Sequence, residues 1–143
     1  MPSADLARIV VDTNVLLSAA LLPRSTSARA FLHALEHFQL VQSADTLAEL
    51  VDVILRPKFV RYLDEERRSQ FLFVMAQVSE LIVVQTRATE CIDQKDNKFL
   101  ELAIDANARV IVSGDTHLLD LHPFRGIAIV APADFLAQEW RGV

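Results

Sequence analysis

Short apolar runs rich in β-branched residues recur along the chain, and they limit the folds that are open to it. The runs are RIVVD at residues 8–12, LIVVQ at 81–85, RVIVS at 109–113 and IAIVA at 127–131, with a weaker candidate, FQLVQ, at 38–42. Continuous apolar runs of this length are typical of strands buried on both faces, as in parallel sheets. We therefore predict five strands of this kind.

The segments between these runs have the periodicity of helices. Apolar residues recur at spacings of three and four within residues 28–35, 47–54, 71–78 and 99–104, and Pro132 marks the start of a last helix over 132–140. We predict the order strand, two helices, strand, two helices, strand, helix, strand, helix, strand, helix. This alternation indicates an α/β protein, a three-layer α/β/α sandwich with a central five-stranded parallel sheet. The chain has no linker rich in Gly or Ser, so we predict one domain over residues 1–143.

Composition narrows the classes of function. The longest apolar stretch, residues 15–22, is interrupted by Ser18 and followed by Pro23, so we expect no membrane segment and no secretory signal. The only cysteine, Cys91, suits a reducing cytoplasm, where we expect the protein to reside. The net charge of −5 argues against a nucleic-acid partner, unless the carboxylates are concentrated in one place.

Acidic residues stand at the ends of two predicted strands. Asp12 ends the first run, and Asp115 follows RVIVS within SGDTHLL. Ligand sites of parallel sheets lie beyond the carboxyl ends of the strands, so these two carboxylates are expected to be neighbours. Asp96 lies in the first turn of the helix before that strand, at a distance that the sequence leaves open. Glu49 lies at the border of the core in TLAELVDVIL.

Each of these acids also has an ordinary explanation. Asp12 and Asp115 are plausible helix N-caps, Asp96 suits a helix start, and Glu49 suits the edge of a core. If the carboxylates converge, two charges about 4 Å apart repel by about 4 kcal/mol at an effective dielectric constant near 20. An all-oxygen set of ligands suits Mg²⁺ or Mn²⁺. The combination therefore predicts metal-dependent hydrolysis of phosphodiester bonds.

Four motifs give the chain a family resemblance from residue 9 to about residue 135. They are VVDTNVLLSA at 10–19, ELVDVILRPKF at 49–59, DNKFLELA at 96–103 and VSGDTHLL at 112–119. Together they resemble the PIN domain, a nuclease fold found in toxins of bacterial toxin-antitoxin pairs and in RNA-processing proteins. The resemblance implies a Mg²⁺- or Mn²⁺-dependent ribonuclease that acts on single-stranded or structured RNA. It also implies a cognate antitoxin and a homodimer.

The acidic quartet of that family falls on Asp12, Glu49, Asp96 and Asp115, which are then the catalytic and metal-binding residues. Asp12 and Asp115 would bind the cation directly, Asp96 directly or through water, and Glu49 through water or at a second ion. Hydroxyl and amide groups expected beside these carboxylates are those of Thr13, Asn14, Ser113 and Thr116.

Basic residues near the acidic motifs in sequence are candidates for contacts with the RNA backbone. They are Arg24, Arg29, Lys95 and Lys98. A second basic window, residues 56–68, also contains three acidic residues and is more typical of a solvated surface.

Other functions remain open at this level. An Asp after a first strand also begins aspartyl-phosphate phosphatases and receiver domains, but the phosphatase signature needs a second Asp where this chain has Asn14. A PIN-like module that binds RNA or protein without cutting, and an RNA-processing nuclease outside a toxin-antitoxin pair, are further alternatives.

Overall fold

Five parallel strands form the centre of the molecule. The structure is a computed structural model and describes residues 6–138. The strands lie side by side in the order β3-β2-β1-β4-β5, and every neighbouring pair is parallel. The strands are β1 (Arg8–Val11), β2 (Gln39–Gln42), β3 (Glu80–Leu81), β4 (Val110–Val112) and β5 (Ala128–Val130).

Eight α-helices lie within residues 6–138, one more than predicted. They are α1 (Thr13–Leu21), α2 (Thr26–His37), α3 (Ala44–Ile54), α4 (Pro57–Val60), α5 (Glu65–Val78), α6 (Asn97–Asp105), α7 (Thr116–Leu119) and α8 (Pro132–Ala137). A 3-10 helix, Gln94–Asp96, leads directly into α6. The additional helix is α4, a single turn that begins at Pro57, whose ring fixes the backbone angle that a first helical turn requires. The predicted end of the last helix, at Trp140, lies outside the described residues.

Of the five predicted strands, the third has the least accurate bounds. The sequence predicted residues 81–85, but only Glu80 and Leu81 pair with β2. The partner of Leu81 is Gln42, where β2 ends, and further along the chain the backbone amides of Gln85 and Thr86 donate to the carboxylate of Asp105. An apolar run reveals neither the end of its neighbouring strand nor an acceptor outside the sheet.

Two apolar layers cover the sheet, one on each face. In β1, the side chains of Ile9 and Val11 join one cluster, and Val10 between them joins the other. The first cluster includes α2 and α8, and the second includes α6, with its fully buried Leu100. The three-layer α/β/α prediction is therefore confirmed. None of the helices between residues 6 and 138 has the length and apolar character needed to cross a membrane.

Candidate metal centre

The site is built where the order of the strands reverses. Strands β1 and β4 are neighbours although they are far apart in sequence, and the amide of Asp12 donates to the carbonyl oxygen of Val112 at 3.0 Å. Asp12 follows β1 directly, and Ser113 follows β4 directly. Both therefore emerge at the carboxyl edge of the sheet, as the sequence predicted.

Asp12 is a helix cap and part of this edge at the same time. It is 4% exposed, and its Oδ1 accepts a hydrogen bond from the amide of Val15 at 2.9 Å. Its Oδ2 accepts from the hydroxyl of Ser113, and the same hydroxyl oxygen accepts from the amide of Asp115 at 3.0 Å. Burial raises the pKa of Asp12, against the opposing effect of the hydrogen bonds from Ser113 and Val15. Ser113 thus connects the two acids.

Three carboxylates, that of Asp115 among them, converge at this edge of the sheet. Asp93, Asp96 and Asp115 each offer an oxygen, and these oxygens lie within 4.8 Å of one another. Asp115 is the N-cap of α7, and its Oδ1 accepts from the amide of His117 at 2.8 Å. Asp96 stands where the 3-10 helix meets α6 and makes no capping hydrogen bond. We refer to Asp93, Asp96 and Asp115 as the acidic triad.

Asp96 is the most strained member of the triad in electrostatic terms. It is 7% exposed, and its Oδ2 has no hydrogen-bond partner within residues 6–138. Burial, followed by its contact with Asp115 and the charges of Asp93 and Glu49, raises the pKa of Asp96 to about 7. The position therefore favours a neutral carboxyl or a nearby positive charge.

Glu49 lies at the margin of the site with its charge already paired. Its Oε2 is 3.1 Å from the Nζ of Lys98, and both side chains are largely buried. This ion pair connects α3 with α6, and the negative charge of Glu49 still contributes to the raised pKa of Asp96. Glu49 is thus close to the triad but is not one of its three converging members.

The side chains predicted to support the carboxylates have different surroundings. Ser113 is fully buried and binds Asp12, as described above. Thr13 is also buried, whereas Asn14 and Thr116 are exposed. Within the part of the chain that the structure describes, none of these last three side chains makes a hydrogen bond to the acids.

The predicted RNA contacts divide into two groups. Lys98 binds Glu49, and the Nζ of Lys95 lies 3.9 Å from Asp93, so both lysines are at the site. Arg24 and Arg29 are exposed beyond the other end of α1. Because α1 has nine residues and spans about 13 Å, these arginines are distant from Asp12.

Sequence reasoning did not predict Asp93 as a site residue. Asp93 lies three residues before Asp96, a spacing that suits helix capping, and it accepts a hydrogen bond from the amide of Lys95 at 3.4 Å. The same spacing brings both carboxylates to one side of a helical turn, and this was the available signal.

The donor set fits a hard divalent cation. All three members of the triad offer carboxylate oxygen, and neither the described histidines nor Cys91 belongs to the group. The partnerless Oδ2 of Asp96 provides an acceptor that a cation would satisfy. The fold and the site together define a parallel α/β domain with an acidic site at the switch point of the sheet.

Comparison with known proteins assigns the family. The PIN domain family matches residues 8–117, so the chain belongs to the PIN domain family. The uncharacterized protein MJ1680 of Methanocaldococcus jannaschii is 32% identical over 117 residues, which cover 80% of this chain and 74% of that protein.

Two solved structures have a similar fold. The crystal structure of VapBC2 from Rickettsia felis, bound to a DNA fragment from its promoter, has a TM-score of 0.58 at 16% identity, covering 85% of this chain and 96% of that one. The crystal structure of PAE2754 from Pyrobaculum aerophilum has a TM-score of 0.58 at 15% identity, covering 96% of this chain and 100% of that one. The resemblance stated from the sequence motifs is confirmed.

Proposed function

We propose that this PIN domain protein is a Mg²⁺- or Mn²⁺-dependent endoribonuclease. The observation that carries the proposal is the acidic triad around Asp96, which has a buried oxygen without a partner and a pKa raised to about 7. Such a cluster is unfavourable without a cation, because burial and repulsion between like charges act in the same direction. This arrangement therefore favours binding of a cation.

The acidic side chains of the site would have different roles in binding the cation. Asp96, Asp115 and Asp93 would hold it through carboxylate oxygens, and Asp12 would bind it or position Asp115 through Ser113. When bound, a Mg²⁺ or Mn²⁺ ion would activate water and stabilise the charge that develops on a phosphoryl oxygen.

The remaining groups of the site would act on the substrate and on the carboxylates. Ser113 donates to Asp12 and accepts from the amide of Asp115, so it fixes the positions of both acids. Lys98 holds Glu49 in place, and with Lys95 it would contact the RNA backbone. Two lysines beside the acidic triad would also reduce the repulsion between an anionic site and an anionic substrate.

RNA cleavage with mapped ends tests this function. Wild-type protein is expected to cleave single-stranded RNA with Mn²⁺ and to lose activity with a chelator. Asp12→Asn and Asp115→Asn are expected to lower the rate by at least about 100-fold. Asp134→Asn, which removes an exposed acid on α8, is the matched control and should cleave normally. Equal cleavage by all four proteins would reject the assignment.

We further propose that the ribonuclease is the toxin of a toxin-antitoxin pair, acts in the cytoplasm and forms a homodimer. The likeness in fold to VapBC2 of Rickettsia felis supports the toxin role. Exposed apolar side chains near α4 support a protein partner, since Leu22 is 59% exposed and Tyr62 is 64% exposed, and both line one groove.

The alternatives lead to different observations. A non-catalytic PIN-like module would bind RNA or protein and leave RNA intact in the cleavage assay. An RNA-processing nuclease would cleave RNA, but its gene would have no short overlapping reading frame for a DNA-binding antitoxin beside it. The four predicted acids are all present, which favours a catalytic protein over a binding module.

A further inference from the structure

A long segment without regular structure delivers Asp93 to the acidic triad. Residues 82–93 contain neither helix nor strand, and they connect β3 with the 3-10 helix. We refer to residues 82–93 as the delivery loop. The amide of Ile82 still donates to the carbonyl oxygen of Gln42 in β2, but the later amides of the loop have no neighbouring strand. They need other acceptors where they are removed from water.

Three side chains of α6 supply those acceptors. The amide of Cys91 donates to Oδ1 of Asn97 at 2.9 Å, and the amide of Ala88 donates to Oε2 of Glu101 at 3.0 Å. The next acceptor is Asp105, whose Oδ2 accepts from the amides of Gln85 and Thr86 and whose Oδ1 accepts from the Thr86 hydroxyl.

The three acceptors are spaced by four residues. Positions 97, 101 and 105 therefore lie on one face of α6, one turn apart. We refer to Asn97, Glu101 and Asp105 as the acceptor row. It binds the loop at three successive points, and its first member is adjacent in sequence to Asp96.

Burial of Asn97 and Glu101 indicates that their polar groups serve the loop. Glu101 is 8% exposed and lies in a helix whose neighbouring positions, Leu100 and Leu102, are in the core. A buried carboxylate is unfavourable unless it is hydrogen-bonded or paired. The amide of Ala88 donates to Oε2 of Glu101, and Nη1 of Arg87, also in the delivery loop, lies 3.6 Å from Oε1. The hydroxyl and then the amide of Thr86 hold the pKa of Asp105 below its ordinary value.

Repulsion within the triad gives this arrangement a consequence for the site. The oxygens of Asp93, Asp96 and Asp115 lie within 4.8 Å, so an unrestrained loop would move Asp93 away from the other two. If the loop is already fixed, Asp93 is in position before the cation binds. Binding then costs no further conformational entropy for ordering the loop.

We propose that the acceptor row positions Asp93 for cation binding by fixing the delivery loop, and that Glu101 and Asp105 are positioning residues that do not touch the cation. This inference rests on the proposed metal-dependent function.

Calorimetric titration of the full-length protein with Mn²⁺ tests the proposal. Glu101→Met keeps the size of the buried side chain and removes the acceptor, whereas Glu101→Gln keeps an acceptor oxygen. We expect Glu101→Met to weaken Mn²⁺ binding about tenfold and Glu101→Gln to remain within about twofold of wild type. Amide hydrogen exchange should increase in residues 85–93 of Glu101→Met and stay unchanged in β1 and β4.

A double-mutant cycle separates positioning from general destabilisation. In an Asp93→Asn background, Glu101→Met should cause no further loss of Mn²⁺ affinity, because the ligand that it positions is already absent. A structural defect would weaken binding equally in both backgrounds, and that result would overturn the proposal. If Glu101→Met does not fold, Asp105→Ala with Asp105→Asn as its conservative partner provides the same comparison at a half-exposed site.

The proposal and the proposed function can fail separately. If Glu101→Met has normal Mn²⁺ affinity and unchanged amide hydrogen exchange in the delivery loop, the positioning role of the acceptor row is rejected. The proposed nuclease function is then unaffected. If wild-type protein binds Mn²⁺ but cleaves no RNA, the proposed nuclease function is rejected. The positioning of Asp93 by the acceptor row is then unaffected. Absence of Mn²⁺ binding by wild-type protein would overturn both.

Discussion

At the scale of single residues, Asp96 combines two unfavourable conditions that usually occur apart. It is buried, and it faces the carboxylates of Asp93 and Asp115. Burial and like charge both favour the protonated form, which is why its pKa rises to about 7. The neighbouring Asp12 has hydrogen bonds from Ser113 and Val15 that oppose the effect of its burial. Asp96 has no such compensation within residues 6–138.

This difference predicts how the stability of the metal-free protein depends on pH. Between the ordinary value of 3.8 and about 7, folded protein holds more protons at Asp96 than the unfolded chain does. The free energy of unfolding therefore decreases as pH rises through that window. We expect Tm in a chelating buffer to fall by roughly 3 °C from pH 5 to pH 7, allowing for solvent screening.

The matched variant for this prediction is Asp96→Asn, which cannot ionise. Its metal-free Tm should be higher than that of wild type at pH 7, and the decrease between pH 5 and pH 7 should become smaller. Differential scanning calorimetry at constant ionic strength measures both quantities. A wild-type Tm that rises over this range, or an identical slope in the variant, would contradict the raised pKa.

The sequence predicted these residues only in part. Asp12 and Asp115 could be placed at one edge because each follows a strand of a parallel sheet. For Asp93 the local pattern offered only its spacing from Asp96, because the path of the preceding loop depends on hydrogen bonds to side chains of α6. The hydrogen bond between Ser113 and Asp12 spans 101 positions in sequence and depends on the pairing of β1 with β4.

At the scale of elements, α3 shows how a cap holds a site residue in place. The amide of Ser43 donates to the Thr46 hydroxyl oxygen at 2.9 Å, and the Ser43 hydroxyl oxygen accepts from the amide of Thr46 at 3.1 Å. The Thr46 hydroxyl also lies 2.6 Å from Oε1 of Gln42, at the end of β2. One buried hydroxyl therefore connects a strand with the helix that carries Glu49.

Replacement of this hydroxyl tests the importance of the cap. Thr46→Val keeps the shape of the side chain but leaves the amide of Ser43 and the Oε1 of Gln42 without this hydroxyl as a partner. We expect a loss of about 1 to 3 kcal/mol in the free energy of unfolding, measured by urea titration. Thr26→Val, at the exposed start of α2, is the matched control and should change stability by less than about 0.5 kcal/mol. Equal losses in both variants would contradict the role of the cap.

The elements themselves were largely predictable because their signals are local. The apolar runs located all five strands of the parallel sheet. The predicted burial on both faces is wrong for β3, at the edge of the sheet, where Leu81 is 62% exposed. The lengths of the strands were not predictable, since pairing depends on the neighbouring strand. β3 ends at Leu81, opposite the last residue of β2, and the amides of Gln85 and Thr86 donate to Asp105 instead of to a strand. The extra turn at Pro57 lies in a segment without apolar periodicity.

At the scale of the whole molecule, the charge is unevenly distributed. The net charge is −5, yet Lys95 and Lys98 lie beside the acidic triad. A cation bound by the triad would lower the negative charge at this edge of the sheet, and Lys95 and Lys98 would offset further carboxylate charge that an approaching RNA meets. A net negative charge on the whole protein is thus compatible with binding of a polyanionic substrate, provided that the substrate binds at this edge of the sheet.

A cation at the acidic triad would connect the ends of the strands with the delivery loop and α7. Its binding should therefore stabilise the whole molecule. At a Mn²⁺ concentration about 100 times the dissociation constant, linkage gives about 2.7 kcal/mol, or a rise in Tm on the order of 5 to 10 °C. Asp115→Asn should lose most of this rise, whereas Asp134→Asn should retain it. The rise should be smaller at pH 5 than at pH 7.5, because binding must then displace the proton of Asp96. A similar rise in every variant, or in NaCl of equal ionic strength, would mean that Mn²⁺ acts on the surface and not at the acidic triad.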